Sequence, residues 1–129
     1  MSPQAMTIGG WSLSGLLILF LMVDMGMKFA LLQPVIDAHA QLGWPSDAAT
    51  IRILAAILLI ATALYAFPRT SLLGAILITA YLGGAVATHA RISSPLFTHT
   101  LFGVYIGVLL WAGLWLRDAR LRDLLPLST

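Results

Sequence analysis

The chain contains no cysteine and no glutamate, and only 9% of its residues are charged. The lack of cysteine excludes disulfides, thiolate catalysis, c-type haem attachment and Cys-ligated metal clusters. Soluble domains carry about 25% charged residues, so a soluble enzyme, a disordered chain and a nucleic-acid-binding module are all disfavoured. Seven basic residues against five aspartates give a net charge of only +2, which is too small to form a basic patch.

Long apolar runs occupy most of the sequence instead. Hydrophobic residues make up 60% of the chain, and the mean hydropathy is +0.95. A membrane-spanning helix needs roughly 20 predominantly apolar residues, and four runs meet this need, at about 11–32, 50–67, 71–90 and 98–116. Because backbone groups find no water in lipid, we expect these runs to be helices. The sequence predicts an all-α, integral membrane, antiparallel four-helix bundle that forms a single domain over residues 1–129.

The first run is predicted to be a permanent helix. Residues 1–10 contain no Lys or Arg, whereas a cleaved signal peptide begins with a positively charged segment. The connection from residue 33 to residue 49 predicts a short interfacial helix at Val35–Leu42, with Gly43 as its stop signal. Ser46 or Asp47 is expected to cap the second membrane helix.

Arginines between the spans predict how the bundle is oriented. Four spans place both termini on one side, together with Arg69, Arg117, Arg120 and Arg122. The other side receives only Arg52 and Arg91, both at span ends. Because basic residues concentrate in cytoplasmic loops, we expect both termini in the cytoplasm.

Charged residues inside membrane spans are costly, and each is a functional-site hypothesis by default. Asp24 and Lys28 lie four residues apart on one helix, so they can pair. The expected orientation places the remaining basic residues of the outer half near this pair. The pattern predicts a polar pocket that opens to the outer face and binds a quinone ring, a small anion or a lipid headgroup. Its candidate ligand-binding residues are Asp24, Lys28, Arg52, His89, Arg91 and His99.

Several structural alternatives stand beside this prediction. The Asp24–Lys28 pair is equally consistent with a purely structural role, and long basic side chains at helix ends often reach up to the headgroups. His39 and His99 are each expected at a solvated loop or interface position as the alternative to ligand binding, and Tyr81 is expected in bundle packing. No HxxxH or ExxH spacing occurs, so no metal site is predicted. The small residues, including the Gly103–Gly107 GxxxG pair, favour a compact bundle, with a homodimer as the alternative.

Five segments of the sequence resemble the DoxX-like family of small bacterial membrane proteins. They are GMK at 26–28, LGWP at 42–45, FPRT at 67–70, YLGGAVATHAR at 81–91 and LRDARLR at 116–122. The resemblance extends from about residue 12 to residue 126. It implies a four-helix inner-membrane protein. Relatives of this family are linked to thiosulfate:quinone oxidoreduction or to membrane redox and oxidative-stress complexes, so the resemblance also implies a quinone and a redox partner protein.

The leading functional hypothesis is a subunit that binds a quinone-like molecule and acts with a partner that carries the redox chemistry. Lys28 or His89 would bind a carbonyl or an anion of the ligand, and Asp24 would orient Lys28. Arg52 and Arg91 would supply positive potential. The alternatives are a non-enzymatic assembly factor for membrane proteins and a small transporter that works as a dimer, since four helices without a repeat suit alternating access poorly. Membrane lipids and a homo-oligomer are further expected partners, and nucleic acid is not.

Overall fold

The computed structural model describes residues 1–128, and within them the chain is helical with no strand. This confirms the predicted all-α bundle. A π-helical turn at Leu96–Thr100 leads into the fifth α-helix. The α-helices are α1 (Pro3–Phe29), α2 (Gln33–Leu42), α3 (Ala48–Ala66), α4 (Ser71–Arg91), α5 (Phe102–Arg117) and α6 (Ala119–Leu124).

Four segments are long and apolar enough to cross a membrane: α1, α3, α4 and the stretch Leu96–Arg117. Their outward surfaces carry large exposed apolar side chains such as Leu16, Ile60 and Val108. A continuous apolar surface of this extent is unsuited to water. The molecule is therefore a multi-pass membrane protein whose outer surface contacts lipid.

The four long helices form a ring in which α1 packs against α3 and α5, and α4 packs against the same two helices. Consecutive spans run antiparallel, so both chain termini and the α3–α4 connection lie at one end, called here the termini end. The opposite end carries α2 and is called the α2 end. The core between the helices consists of Leu17, Leu21, Leu58, Ala75, Ile78, Ile106, Leu110 and neighbouring side chains.

Helix α1 begins earlier than the apolar run suggests. Ser2 caps it by accepting a hydrogen bond from the Ala5 N–H at 3.1 Å, and Pro3 occupies its first turn. Both are favourable at a helix start, so the helix begins at Pro3 instead of residue 11. It ends at Phe29 instead of residue 32 because Leu31 adopts a left-handed conformation with φ of 53°.

Helix α2 is the predicted interfacial helix. It spans Gln33–Leu42, and Gly43 ends it with φ of 78°, a conformation that glycine adopts without strain. Asp47 caps α3 by accepting the Thr50 N–H at 3.0 Å, as expected for this position. The same contacts, with the Thr50 hydroxyl contributing most, lower the pKa of the Asp47 carboxyl.

A polar network at the termini end joins all four long helices. The Arg117 guanidinium of α5 donates to the Ser14 hydroxyl of α1 at 3.0 Å and to the Ser71 hydroxyl of α4 at 3.2 Å. It also donates to the Tyr65 carbonyl of α3 at 3.3 Å. The Tyr65 hydroxyl in turn donates to the Leu110 carbonyl at 2.8 Å. Arg117, which the sequence places at the cytoplasmic helix end, is therefore turned into the bundle.

Glycines allow the helices to approach closely at both ends of the bundle. A Cβ on Gly10 of α1 would lie 2.7 Å from the Gly113 carbonyl of α5, so side chains are excluded from this crossing. Gly103 of the GxxxG pair has its own close neighbour, because a Cβ there would lie 3.1 Å from the Leu82 carbonyl of α4. Gly103 therefore serves packing within the chain.

Candidate functional site

A cavity of about 560 Å³ lies inside the α2 end of the bundle. The walls come from α1, α3, α4 and the start of α5, and α2 forms its roof. The volume falls within the range of about 300–1,000 Å³ that is typical of small-molecule sites. Most of the wall is apolar, with Leu21, Met27, Leu54, Leu58, Ala80, Ala85 and Ile106 among its residues.

A three-residue polar cluster forms the charged part of the wall. The Lys28 ammonium donates to the Asp24 carboxylate at 2.7 Å and to the Tyr81 hydroxyl at 2.8 Å. The side chain of Lys28 is only 13% exposed. Side chains of a helix point toward its N-terminus, so Lys28, in the last turn of α1, extends back into the bundle and not outward to the headgroups.

Tyr81 accepts this hydrogen bond and keeps its own proton for another partner. A phenol is both a donor and an acceptor, and among residues 1–128 no acceptor for the Tyr81 O–H is found. The ammonium also lies 5.3 Å from the centre of the Tyr81 ring, within the range of cation–π attraction. Tyr81 therefore presents a polarised donor at the cavity wall.

Two histidines lie near the rim of the cavity. The ring centres of His89 and His99 are 5.9 Å apart. His89 Nδ1 is bonded to Ser94 Oγ at 3.0 Å, and His99 Nδ1 to Thr98 Oγ1 at 2.8 Å. In both rings Nε2 is left for a ligand or for solvent. Among residues 1–128 no three potential metal ligands are grouped to hold an ion.

His39 lies on the underside of the roof and is buried, with 7% of its surface exposed. Its Nδ1 is 3.0 Å from the Val35 carbonyl. A carbonyl only accepts, so Nδ1 carries the proton of the neutral ring and Nε2 is an acceptor. The sequence suggests a solvated position for His39, but Val35, His39 and Leu42 share one helix face, which is the face that lines the cavity.

Arg52 and Arg91 hold the rim by binding backbone carbonyls. Arg52 Nε donates to the Phe29 carbonyl at the end of α1, at 3.2 Å. Arg91 Nη2 donates to the Leu42 carbonyl at the end of α2, at 2.6 Å. Neither side chain lines the cavity, whereas the other four predicted site residues, Asp24, Lys28, His89 and His99, all do. The two arginines therefore secure α1 and the roof in place.

An aromatic pair closes the side of the cavity between α1 and α5. The rings of Phe20 and Phe102 lie with their centres 5.7 Å apart. Both residues line the cavity, and both remain partly exposed, at 42% and 44%. This pair therefore forms part of the cavity wall between α1 and α5.

A known family model matches most of the chain. The profile described as the DoxX-like family matches residues 12–113, a stretch that includes α2, α3 and α4, most of α1 and α5, and every cavity residue named above. No curated protein and no solved structure gives a significant match.

Proposed function

The chain belongs to the DoxX-like family, and from this premise we propose that it binds a quinone-like molecule in the cavity and serves a membrane redox system as its binding subunit. The observation that carries the proposal is the cluster of Lys28, Asp24 and Tyr81 in a mostly apolar wall. A quinone combines an apolar ring with carbonyl acceptors, which suits apolar walls and a few fixed donors.

The charge of the cluster favours a neutral ligand over an anion. Asp24 compensates the charge of Lys28 at 2.7 Å, and the two arginines expected to supply positive potential lie outside the wall. A small anion would meet little net positive charge and would lose its hydration. A neutral carbonyl would accept hydrogen bonds from Tyr81 or Lys28 without that cost. Of the ligand classes that the sequence leaves open, the geometry therefore supports the quinone best.

In this proposal the chain holds the ring, and a partner protein exchanges electrons with it. A bound quinone would supply two-electron chemistry. Tyr81 and Lys28 would hold one carbonyl, Asp24 would fix the Lys28 ammonium, and His89 and His99 would meet the ligand nearer the rim. We further propose the bacterial inner membrane as the location, with both termini in the cytoplasm and the cavity in the outer half, as the arginine distribution predicts.

Titration of the purified protein with a short-chain benzoquinone tests the proposal. Trp44 lines the cavity, so its fluorescence should report saturable quenching. We expect Lys28→Met and His89→Gln to weaken binding about tenfold or more, since each removes a group at the ligand. Arg120→Gln is the control, because Arg120 lies exposed on α6, at the far end, and pairs with Asp118.

Lys28→Met leaves Asp24 without its cation, which can destabilise the bundle. The double variant Asp24→Asn/Lys28→Met removes both charges and separates loss of folding from loss of binding. The proposal would be contradicted if the benzoquinone shows no saturable binding to the folded wild type. It would also be contradicted if both single variants bind the benzoquinone with unchanged affinity. Native mass spectrometry from membranes adds a second arm: a stoichiometric protein partner without a retained small molecule would favour the assembly factor instead.

A further inference from the structure

The Arg117 network at the termini end contains a cation that no carboxylate of residues 1–128 compensates. Residues 1–128 form two ion pairs, Lys28–Asp24 at the α2 end and Arg120–Asp118 at the termini end. Asp118 follows Arg117 directly, but its two oxygens bind the Arg120 side chain at 3.2 and 3.1 Å. The nearest acid in sequence is thus occupied elsewhere.

The groups that do contact Arg117 are neutral. Two hydroxyls and one carbonyl accept from it, as described above, and its guanidinium carbon lies 4.0 Å from the ring centre of Trp11 and 5.0 Å from that of Tyr65. Hydroxyls, carbonyls and rings orient a guanidinium and reduce its desolvation cost. They do not supply the full negative charge that a cation held at the edge of a low-dielectric region attracts most strongly.

Arg117 also retains donors for such a charge. A guanidinium has five N–H groups in a planar fork, and three are used in the bonds to Ser14, Ser71 and the Tyr65 carbonyl. The side chain is only partly buried, and two of its N–H groups have no partner among residues 1–128. Three oriented contacts and an aromatic ring fix the fork in advance, which lowers the entropy lost when a ligand binds.

We infer that Arg117 forms a binding site for a phosphate group at the termini end of the bundle. A guanidinium fork matches the oxygens of a phosphate, and such charge-assisted hydrogen bonds are about twice as strong as neutral ones. Arg117 ends the fourth membrane-spanning segment, at the depth where phospholipid headgroups begin. The phosphate comes either from an anionic lipid headgroup or from the solvent, and the site is separate from the cavity at the α2 end.

Thermal unfolding of the delipidated protein in a neutral detergent tests this site with defined probes. We expect phosphatidylglycerol to raise the midpoint by several degrees and millimolar inorganic phosphate to raise it less. Arg117→Gln should lose at least tenfold in apparent affinity for phosphatidylglycerol. Arg120→Gln should not, because Arg120 is 84% exposed and already paired with Asp118. If saturating inorganic phosphate raises the unfolding midpoint as much as phosphatidylglycerol does, the site binds free phosphate.

Arg117→Gln removes bonds to three helices and can fail to fold, so a second measurement uses the wild type. A photoreactive phosphatidylglycerol with its reactive group in the headgroup should label peptides that contain Trp11, Ser71 or Arg117. Labelling should fall when unmodified phosphatidylglycerol competes. Labelling spread evenly over the Arg120 and Arg122 region, or no protection by either phosphate source, would overturn the inference.

Discussion

The Tyr81 hydroxyl is the donor with the clearest role in the proposed ligand binding. Tyr81→Phe keeps the ring and removes only the O–H, so we expect the short-chain quinone to bind about three- to tenfold more weakly, the effect of one lost hydrogen bond. Infrared spectra should show the carbonyl stretch of the bound quinone moving to higher frequency in this variant.

Tyr105→Phe is the matched control for this substitution. The Tyr105 hydroxyl donates to the Phe97 carbonyl at 2.9 Å and is exposed, and Tyr105 does not line the cavity. Quinone affinity and carbonyl frequency should both stay at the wild-type values. If Tyr81→Phe behaves in the same way as Tyr105→Phe, the hydroxyl of Tyr81 is not the ligand's donor.

Contacts along one helix were predictable from the sequence, and contacts between helices were not. Asp24 and Lys28 form the expected i,i+4 pair, because helix geometry alone brings them together. The Lys28–Tyr81 bond depends on how α1 packs beside α4, which a single sequence does not specify. The same limit hid the role of Arg117, whose three hydrogen-bond partners come from α1, α3 and α4.

A second prediction at the residue scale concerns Tyr65. This residue is fully buried, and its hydroxyl lies 2.9 Å from Ser14 Oγ and 2.8 Å from the Leu110 carbonyl. Tyr65→Phe should lower the free energy of unfolding by about 1 kcal/mol, as hydrogen bonds in membrane proteins are worth little more than that. Unfolding in mixed detergent micelles measures the change. If Tyr105→Phe lowers the free energy of unfolding as much as Tyr65→Phe does, the buried position of the Tyr65 hydroxyl is not the cause of its effect.

The close approach of α4 to α3 requires glycine at one position. A Cβ on Gly74 would collide with the backbone of Leu64 and Tyr65, which cannot move aside cheaply, whereas a Cβ on Gly83 of the same helix meets nothing within 4 Å. We expect Gly74→Ala to destabilise the protein by about 2 kcal/mol or more through overpacking. Gly83→Ala should be neutral or slightly stabilising, because alanine is the better helix former.

Thermal midpoints of the two glycine variants check this contrast directly. The substitutions are chemically identical and lie in one helix, so differences in propensity cancel. Similar midpoints for Gly74→Ala and Gly83→Ala would show that α3 and α4 do not approach as closely as described.

The first turn of helix α3 should become less stable at acidic pH. The Thr50 hydroxyl and N–H lower the pKa of Asp47, so ionised Asp47 stabilises the folded state above its unfolded pKa of about 3.9. This contribution is lost as the pH falls through the lower, folded pKa. The protection factor of the Thr50 amide should therefore decrease at acidic pH, and Asp47→Asn, which keeps a capping oxygen, should remove the pH dependence. A pH-independent wild type would contradict the capping role.

Local signals specified some helix boundaries and missed others. Gly43 and Asp47 end α2 and begin α3 as the sequence predicts, because each acts through its own backbone or side chain. The start of α1 at Pro3 and the presence of α6 were not anticipated from the apolar runs. Both lie where polarity increases, and there a capping residue, Ser2 or Asp118, decides whether the helix forms.

The orientation of the whole bundle can be measured cleanly because the chain has no cysteine of its own. Single cysteines at Ser2 and Ser128 should react with an impermeant maleimide only when the cytoplasmic side is open. A cysteine at Ser46, in the α2–α3 connection, should react in intact cells whose outer membrane is permeabilised. The reverse pattern would keep the cavity intact and move it to the cytoplasmic half.

The Phe20–Phe102 pair has a consequence for how a ligand arrives. The two rings form part of the cavity wall between α1 and α5, and both are partly exposed. An apolar molecule that displaces these two rings would pass from the bilayer to the binding site without crossing water. Its local concentration would then be set by partitioning into the membrane, so we expect the apparent affinity of a homologous series to increase with each added methylene until the tail exceeds the space inside.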